Sequence, residues 1–458
     1  MREIDFRSTP LPDLVQLVQT RQLRASDLVT HALEVIAARN PELNAFVSID
    51  PDRAMLAARD IDSRVGGGDP IGPLAGIPIG VKDTEDSLGL RTTFGSLLYV
   101  DRPPATTDCT LVARLKKAGA VVVGKTNTSE FAFSADTSNR AFGVTRNPFV
   151  PGHTAGGSSG GSAVAVAAGM VPLATGSDGG GSIRVPATIC GLPGFKPSLG
   201  RVPHGDVEPP DWPTLSTRGL IATSVRSTAY AYDVVVGPDP RDLRSLPAEL
   251  VNWHSQVAAD RPLHIKSVAW SSDLGWADPD PEVLALCEQA VAAFAGRFGI
   301  QVEDSKPLLE HDPGLDWTVL ATTGTMRRLT EVWGTDRWGL IDPGLAHLLQ
   351  EYGRPSAARY LQAEDTCHRI VCNLAEIFES SDLLLCPLTA RPAPGHAAAR
   401  NGRWVQYPYM FNMARVPAGA VPVGETTEGV TVAVQIVGRQ HHDLDVLRVM
   451  QSISSMRH

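Results

Sequence analysis

The chain has few cysteines, and none of them makes a CxxC pair. The six are Cys109, Cys190, Cys287, Cys367, Cys372 and Cys386. A disulfide framework or a zinc site is therefore not expected, and free, mostly buried thiols in a reducing compartment fit better. Long hydrophobic runs are also lacking. The longest spans 163–174, is 12 residues long and contains Gly169 and Pro172. That is too short to cross a bilayer. The first ten residues, MREIDFRSTP, contain no apolar core of a secretory signal, so a cytoplasmic location is the expectation. Basic runs are missing too. The 41 Lys and Arg are dispersed among 50 Asp and Glu, giving a net charge of −9. This argues against a nucleic-acid-binding role, which needs a basic stripe. No His, Cys, Asp or Glu cluster has metal-ligand spacing, so no metal and no cofactor are expected.

What remains is a globular composition, 43% hydrophobic and 20% charged over 458 residues, with length enough for a large core. Three helices are predicted first: Leu11 to Thr20, Asp27 to Arg39 with Ser26 as its cap, and Asp52 to Arg64. After the linker VGGGDPIGP, strands are predicted at Ile77 to Lys82 and Ala120 to Val123, around a helix from Thr107 to Ala118. Further strands are expected at Ile265 to Trp270 and Val430 to Val437, and a last helix from Leu444 to about Ile453. Such alternation argues for an α/β fold with a sheet covered on both faces.

The stretch from Gly156 to Arg184 carries the most information. Ser158 and Ser182 sit in glycine runs at its two ends, joined by a segment with no side chain larger than Met. Glycine lets backbone approach another group closely, and free N–H groups in such loops can bind a developing oxyanion. A serine there is a candidate nucleophile, and a hydrolase acting on a carbonyl is the leading idea.

Two pattern matches mislead. Gly119 to Thr126, GAVVVGKT, satisfies the P-loop expression, but its central Ala-Val-Val-Val reads as a strand rather than a phosphate-binding turn. Gly156 to Gly160 satisfies the G-x-S-x-G expression of a nucleophile elbow. That motif needs a strand directly before it and a later acid and histidine, whereas the preceding PFVPGHTA is loop-like. His396 and His441 are candidate bases for such a triad. Lys82, at the end of the apolar IPIGVK, is another. An ordinary lysine, of pKa ~10.4, is neutral only about once in 10³ at neutral pH. Burial can lower that pKa by about 3–5 and remove the handicap. The alternative for Lys82 is a side chain that snorkels from a strand end.

Taken together, these residues resemble the amidase signature family. Gly76 to Asp83 looks like its lysine segment. Gly124 to Ala132 and Thr145 to Pro148 resemble its middle motifs. Gly156 to Ser162 is similar to its serine-glycine loop and Gly176 to Pro186 to its nucleophile loop, followed by Gly194 to Pro197. The separation of 24 residues between Ser158 and Ser182 is also the family's. The close likeness covers about 72–222, with a looser one at 382–394 and 411–445.

The resemblance implies one large α/β domain over 1–458, with a central mixed, mostly parallel twisted sheet and helices on both faces. Within it, 1–65 would supply N-terminal helices, 72–222 the catalytic core, 240–380 a variable substrate-pocket region and 382–458 the end of the sheet and a final helix. It implies a Ser–cis-Ser–Lys triad: Ser182 as nucleophile, Ser158 as bridging serine after a cis peptide, Lys82 as base. The N–H groups of Gly179, Gly180, Gly181 and Ser182 would form the oxyanion hole, supported by Ser159, Asp178 and Arg184. A small-molecule amide is the expected partner, with no nucleic acid and no membrane; a homodimer remains open.

Three features depart from the pattern. Gly179 replaces the frequent Thr or Ile, which would loosen the loop or open space for substrate. Ser177 stands where Thr is common. Arg415 stands where small residues are frequent, and either faces the pocket or makes a surface salt bridge. Trp317, Trp333 and Trp338 either line a pocket or pack helices. Besides a free-standing amidase, two readings compete: the amidase subunit of a tRNA-dependent amidotransferase, and a Ser-His-Asp hydrolase. That subunit typically has Gln where this chain has Val185.

Overall fold

The computed structural model describes residues 4–249, 251–257 and 263–456. Its strands are β1 (Phe46–Ile49), β2 (Pro78–Lys82), β3 (Val121–Thr126), β4 (Ser138–Asn139), β5 (Gly143–Val144), β6 (Leu173–Asp178) and β7 (Gly194–Lys196). They continue with β8 (Thr217–Ala222), β9 (Ser267–Trp270), β10 (Gln301–Asp304), β11 (Leu383–Pro387), β12 (Ala418–Glu425) and β13 (Thr431–Gly438). The mixed α/β architecture is the one expected, but its hydrogen bonding divides into two ladders. The first runs β1-β3-β2-β6-β8 and the second β10-β9-β11-β13-β12-β7, with β4 and β5 forming a separate hairpin. Antiparallel pairing is more frequent than "mostly parallel" suggests. β2 is parallel to β3 and β6, and β9 is parallel to β10 and β11. The edges β1 and β8 and the whole β11-β13-β12-β7 run are antiparallel.

The first ladder positions the site. β2 is buried at every residue, so its apolar text needs no alternation, as in a strand covered on both faces. Since β3, β2 and β6 are parallel, their last residues Thr126, Lys82 and Asp178 open on one edge, where ligands bind in open α/β sheets. GAVVVGKT forms β3, as its β-branched centre requires. Its lysine, Lys125, is buried and donates to the Glu85 carbonyl at 2.5 Å and to Thr92 Oγ1 at 2.9 Å. It supports the chain leaving β2 instead of cradling a phosphate.

The helix predicted from Asp27 begins earlier and ends later, at Ala25–Leu43, and Ser26 is not its cap. Arg24 holds the cap position, with Asp27 accepting its N–H at 3.0 Å. Asp62, from the next helix, accepts the N–H groups of Ala25 at 2.6 Å and Ser26 at 3.2 Å. A tertiary carboxylate thus replaces the local hydroxyl at this helix start. The next helix is Pro51–Gly67, capped by Asp50. Its residues share one buried apolar cluster with β2, β3, β6 and the C-terminal β13. No helix among the described residues is long and apolar enough to cross a membrane. The six cysteines are free, and all but Cys372 are buried.

Candidate active site

Three chain segments meet at the open edge of the first ladder. Lys82 ends β2 and is fully buried. Ser158 follows a cis Gly157–Ser158 peptide and stands just before the helix Gly160–Ala167. Ser182 lies between β6 and the helix Arg184–Ile189. The start of the first of these helices admits only glycine at position 161, where a Cβ would lie 2.4 Å from the Asn127 backbone nitrogen. The two serine loops are tied together by the Ser159 N–H, which donates to the Ser182 carbonyl at 3.2 Å.

Lys82 Nζ lies 2.8 Å from Ser158 Oγ and 2.9 Å from Ser177 Oγ, and its backbone N–H donates to Thr175 Oγ1 at 2.9 Å. Among the described residues no carboxylate bonds to the amine. Burial lowers its pKa from the ordinary lysine range to about 7, against the opposing charges of Glu85 and Asp178. A neutral amine can accept the Ser158 hydroxyl proton while donating its own N–H to Ser177. The Ser182 side chain is half-buried and borders two cavities. Its hydroxyl has no hydrogen-bond partner among the described residues, a loose arrangement common before substrate binds.

The glycine loop after β6 is held by a buried ion pair. Burial alone would raise the Asp178 carboxyl, but the Arg184 guanidinium outweighs it and holds the carboxyl well below the usual carboxylate range. Arg184 donates to Asp178 through Nε at 2.9 Å and Nη2 at 2.8 Å, in the two-pronged geometry guanidinium favours. Its remaining N–H groups reach Asn412 Oδ1 at 2.6 Å, Gln435 Oε1 at 2.5 Å and the Pro408 carbonyl at 3.1 Å. Asp178 Oδ1 also takes the Gly181 N–H at 2.8 Å. Gly181 therefore leaves the expected set of oxyanion donors, because its N–H is used to fix the loop. The N–H groups of Gly179, Gly180 and Ser182 have no hydrogen-bond partner among the described residues. Asp178→Ala would strand the fully buried guanidinium. It is expected to destabilise the fold by about 3–5 kcal/mol, read as a lower midpoint in a denaturant titration.

Gly179 opens no space for substrate. A Cβ there would lie 2.4 Å from Cε3 of Trp212, so the indole occupies the volume. Trp317 lies against Gly180 and donates through Nε1 to the Gly179 carbonyl at 2.8 Å. The loop is thus braced rather than loosened. Trp317, Trp212, Phe133 and Tyr409 line a cavity of about 370 Å³ that reaches Ser182. Ring centroids are 5.7 Å apart for Phe133–Trp317 and for Trp212–Trp317, and 6.0 Å for Trp317–Tyr409. Trp333 and Trp338 pack edge to face on each other at 4.8 Å, and line neither cavity at Ser182. Arg415 pairs with Glu364 at 2.6 Å, the salt-bridge alternative. His396 bonds Asp136 at 2.9 Å, and among the described residues no histidine bonds to Ser158 or Ser182.

Sequence reasoning singled out Ser177 without giving it a role and missed Asn412, Gln435 and Trp212. Ser177 had a signal, since it sits next to Asp178 in the loop motif. Asn412 lies three residues before the singled-out Arg415. Nothing local marks Gln435 or Trp212.

Residues 27–447 match the model of the family described as Amidase. The chain is 31% identical to an acylamidase of Rhodococcus erythropolis, over 100% of this chain and 97% of that protein. It is 33% identical to a subunit of the glutamyl-tRNA(Gln) amidotransferase of Chloroflexus aurantiacus, over 93% of this chain and 92% of that protein. Its fold matches the crystal structure of a bacterial aryl acylamidase of the amidase signature enzymes with a TM-score of 0.91. That match has 28% sequence identity and covers 98% of this chain and 96% of that one. Sequence and fold agree over nearly the whole chain, and the protein belongs to the amidase family, whose members hydrolyse the carbon–nitrogen bond of amides.

Proposed function

We propose that the protein is a free-standing amidase that hydrolyses small carboxamides with an aromatic or bulky apolar acyl group, through an acyl-enzyme on Ser182. The observation that carries this reading is the buried Lys82 amine, 2.8 Å from Ser158 Oγ and, among the described residues, free of any bonded carboxylate. Lys82 takes a proton through the Ser158 hydroxyl as Ser182 attacks the amide carbonyl. The relay then returns a proton to the leaving amine, because an unprotonated amide anion is too poor a leaving group. The N–H groups of Gly179, Gly180 and Ser182 stabilise the oxyanion, and one such donor is worth about 2.7–4 kcal/mol. Water releases the acid.

The acyl group occupies the aromatic cavity. Val185 lines that cavity where an amidotransferase subunit typically carries Gln, which favours an apolar acyl chain over glutamine. The purified chain, with no second subunit, is therefore expected to hydrolyse aryl and arylalkyl amides faster than acetamide or glutamine. Phe133→Ala should lower kcat/KM for the aryl amides about tenfold, the worth of one aromatic contact, and change acetamide hydrolysis little. Turnover only of glutamine, and only with a partner subunit, would replace this reading with the amidotransferase one.

A further inference from the structure

Thr137 is fully buried and lines neither cavity at Ser182. Its hydroxyl nevertheless bonds the chain on both sides of Ser158. Thr137 Oγ1 donates to the Gly156 carbonyl at 2.8 Å, with the Ser158 carbonyl as a second acceptor at 3.3 Å. It also accepts the Gly160 N–H at 3.0 Å. The helix Gly160–Ala167 begins with N–H groups that no helical carbonyl can satisfy, and the Ser159 side chain caps none of them. Thr137, 23 residues back, takes the N–H of Gly160, and the Asn127 carbonyl takes that of Gly161 at 3.2 Å. The residues around Thr137 close on the same loop. Thr154 Oγ1 accepts the Gly156 N–H at 3.0 Å and donates to Asp136 Oδ1 at 2.5 Å. A Cβ on Gly157 would lie 2.5 Å from the Ser134 carbonyl oxygen and 2.9 Å from the Asp136 nitrogen. Lys82 needs no such support, because its strand β2 is paired with β3 on one side and β6 on the other. Ser158 lies in no strand and no helix, so its hydroxyl stands where the groups gripping this loop put it.

We propose that Thr137 is a positioning residue for the reaction, its hydroxyl fixing the loop so that Ser158 Oγ stays within reach of both Lys82 and Ser182. The proposal rests on the reading of Ser158 as the proton relay. Valine in place of Thr137 keeps the shape and removes the hydroxyl. The Gly156 carbonyl and the Gly160 N–H, both buried, would lose that partner, and the loop would shift to satisfy them elsewhere. A displacement of about 1 Å in a reacting group can cost about 10²-fold in rate. That cost falls unequally on two kinds of leaving group. With either, Ser182 Oγ bonds to the acyl carbon and its proton enters the Ser158–Lys82 relay. An anilide nitrogen must receive that proton as its bond to the acyl carbon breaks. A 4-nitrophenolate leaves as the anion, and the proton stays on the relay.

The test compares the 4-nitroanilide and the 4-nitrophenyl ester of phenylacetic acid, which share one acyl group. The ratio of kcat/KM for the anilide to that for the ester does not depend on how much of the enzyme is folded. In Thr137→Val this ratio should fall about tenfold, with the anilide's loss in kcat rather than KM. Thr137→Ser, which keeps the hydroxyl, should restore the wild-type ratio. Thr154→Val removes the acceptor of the Gly156 N–H and should shift the ratio in the same direction, and it decides if Thr137→Val does not fold. A wild-type ratio in Thr137→Val, or a Thr137→Ser as impaired as Thr137→Val, overturns the positioning role and leaves the amidase reading standing. A wild-type ratio in Ser158→Ala overturns the relay itself.

Discussion

Lys82→Arg is expected to hydrolyse amides about 10²–10⁴-fold more slowly than the wild type, the range for a lost general base. Guanidinium stays charged at any workable pH and cannot accept a proton. Lys82→Ala should lose at least as much, since no other base among the described residues bonds to the Ser158 hydroxyl. The wild-type pH profile carries the same argument. The active form is the neutral amine, and burial lowers its pKa to about 7. Activity should therefore fall as pH drops below about 7 and hold into the alkaline range. The sign for stability is the same. The folded lysine binds fewer protons than the unfolded one between about 7 and the ordinary lysine pKa, so the fold loses stability as pH falls through that window. An active Lys82→Arg paired with a dead His396→Ala would restore the Ser-His-Asp reading.

Ser182→Ala should abolish amide hydrolysis, with a loss on the order of 10⁴-fold or more, as for other catalytic serines. Stability should stay within about 0.5 kcal/mol, because the removed hydroxyl has no partner among the described residues. The informative contrast is Ser158→Ala. That hydroxyl is buried and bonded to Lys82, but a water could take its place in the relay, so a residue of activity should survive. Mass spectrometry after mixing with a 4-nitrophenyl ester should find the acyl group on the peptide containing Ser182. A label on Ser158, or full activity in Ser182→Ala, would reverse the two serines' roles.

Several features were legible in the linear text because their signal is local. The strand ending in Lys82 is a continuous apolar run. The misleading GAVVVGKT is β-branched where a phosphate loop must bend, and it forms β3. Ser158 and Ser182 stand out because close backbone approach admits only glycine around them. The ion pair of Asp178 and Arg184 lies within one loop, six residues apart.

Tertiary structure decided what depends on partners distant in sequence. Ser26 looked like a cap, but the helix starts at Ala25, where Asp62 from another helix takes the N–H groups of Ala25 and Ser26. Gly181 looked like an oxyanion donor, but its positive φ of 118° and the Asp178 carboxylate turn its N–H back into the loop. Gly179 read as open space until Trp212, 33 residues on, filled it. Asn412 and Gln435 complete the shell of Arg184 from 228 and 251 residues away. Of three tryptophans close in sequence, only Trp317 reaches the cavity at Ser182. The sequence by itself determined the family, the catalytic residue types and the strand that carries the lysine, because composition and spacing encode them locally. Only the folded chain decided which N–H groups stay free, what fills each glycine's space and that Ser182 stands between two cavities. Those properties belong to surfaces that exist only once distant segments pack.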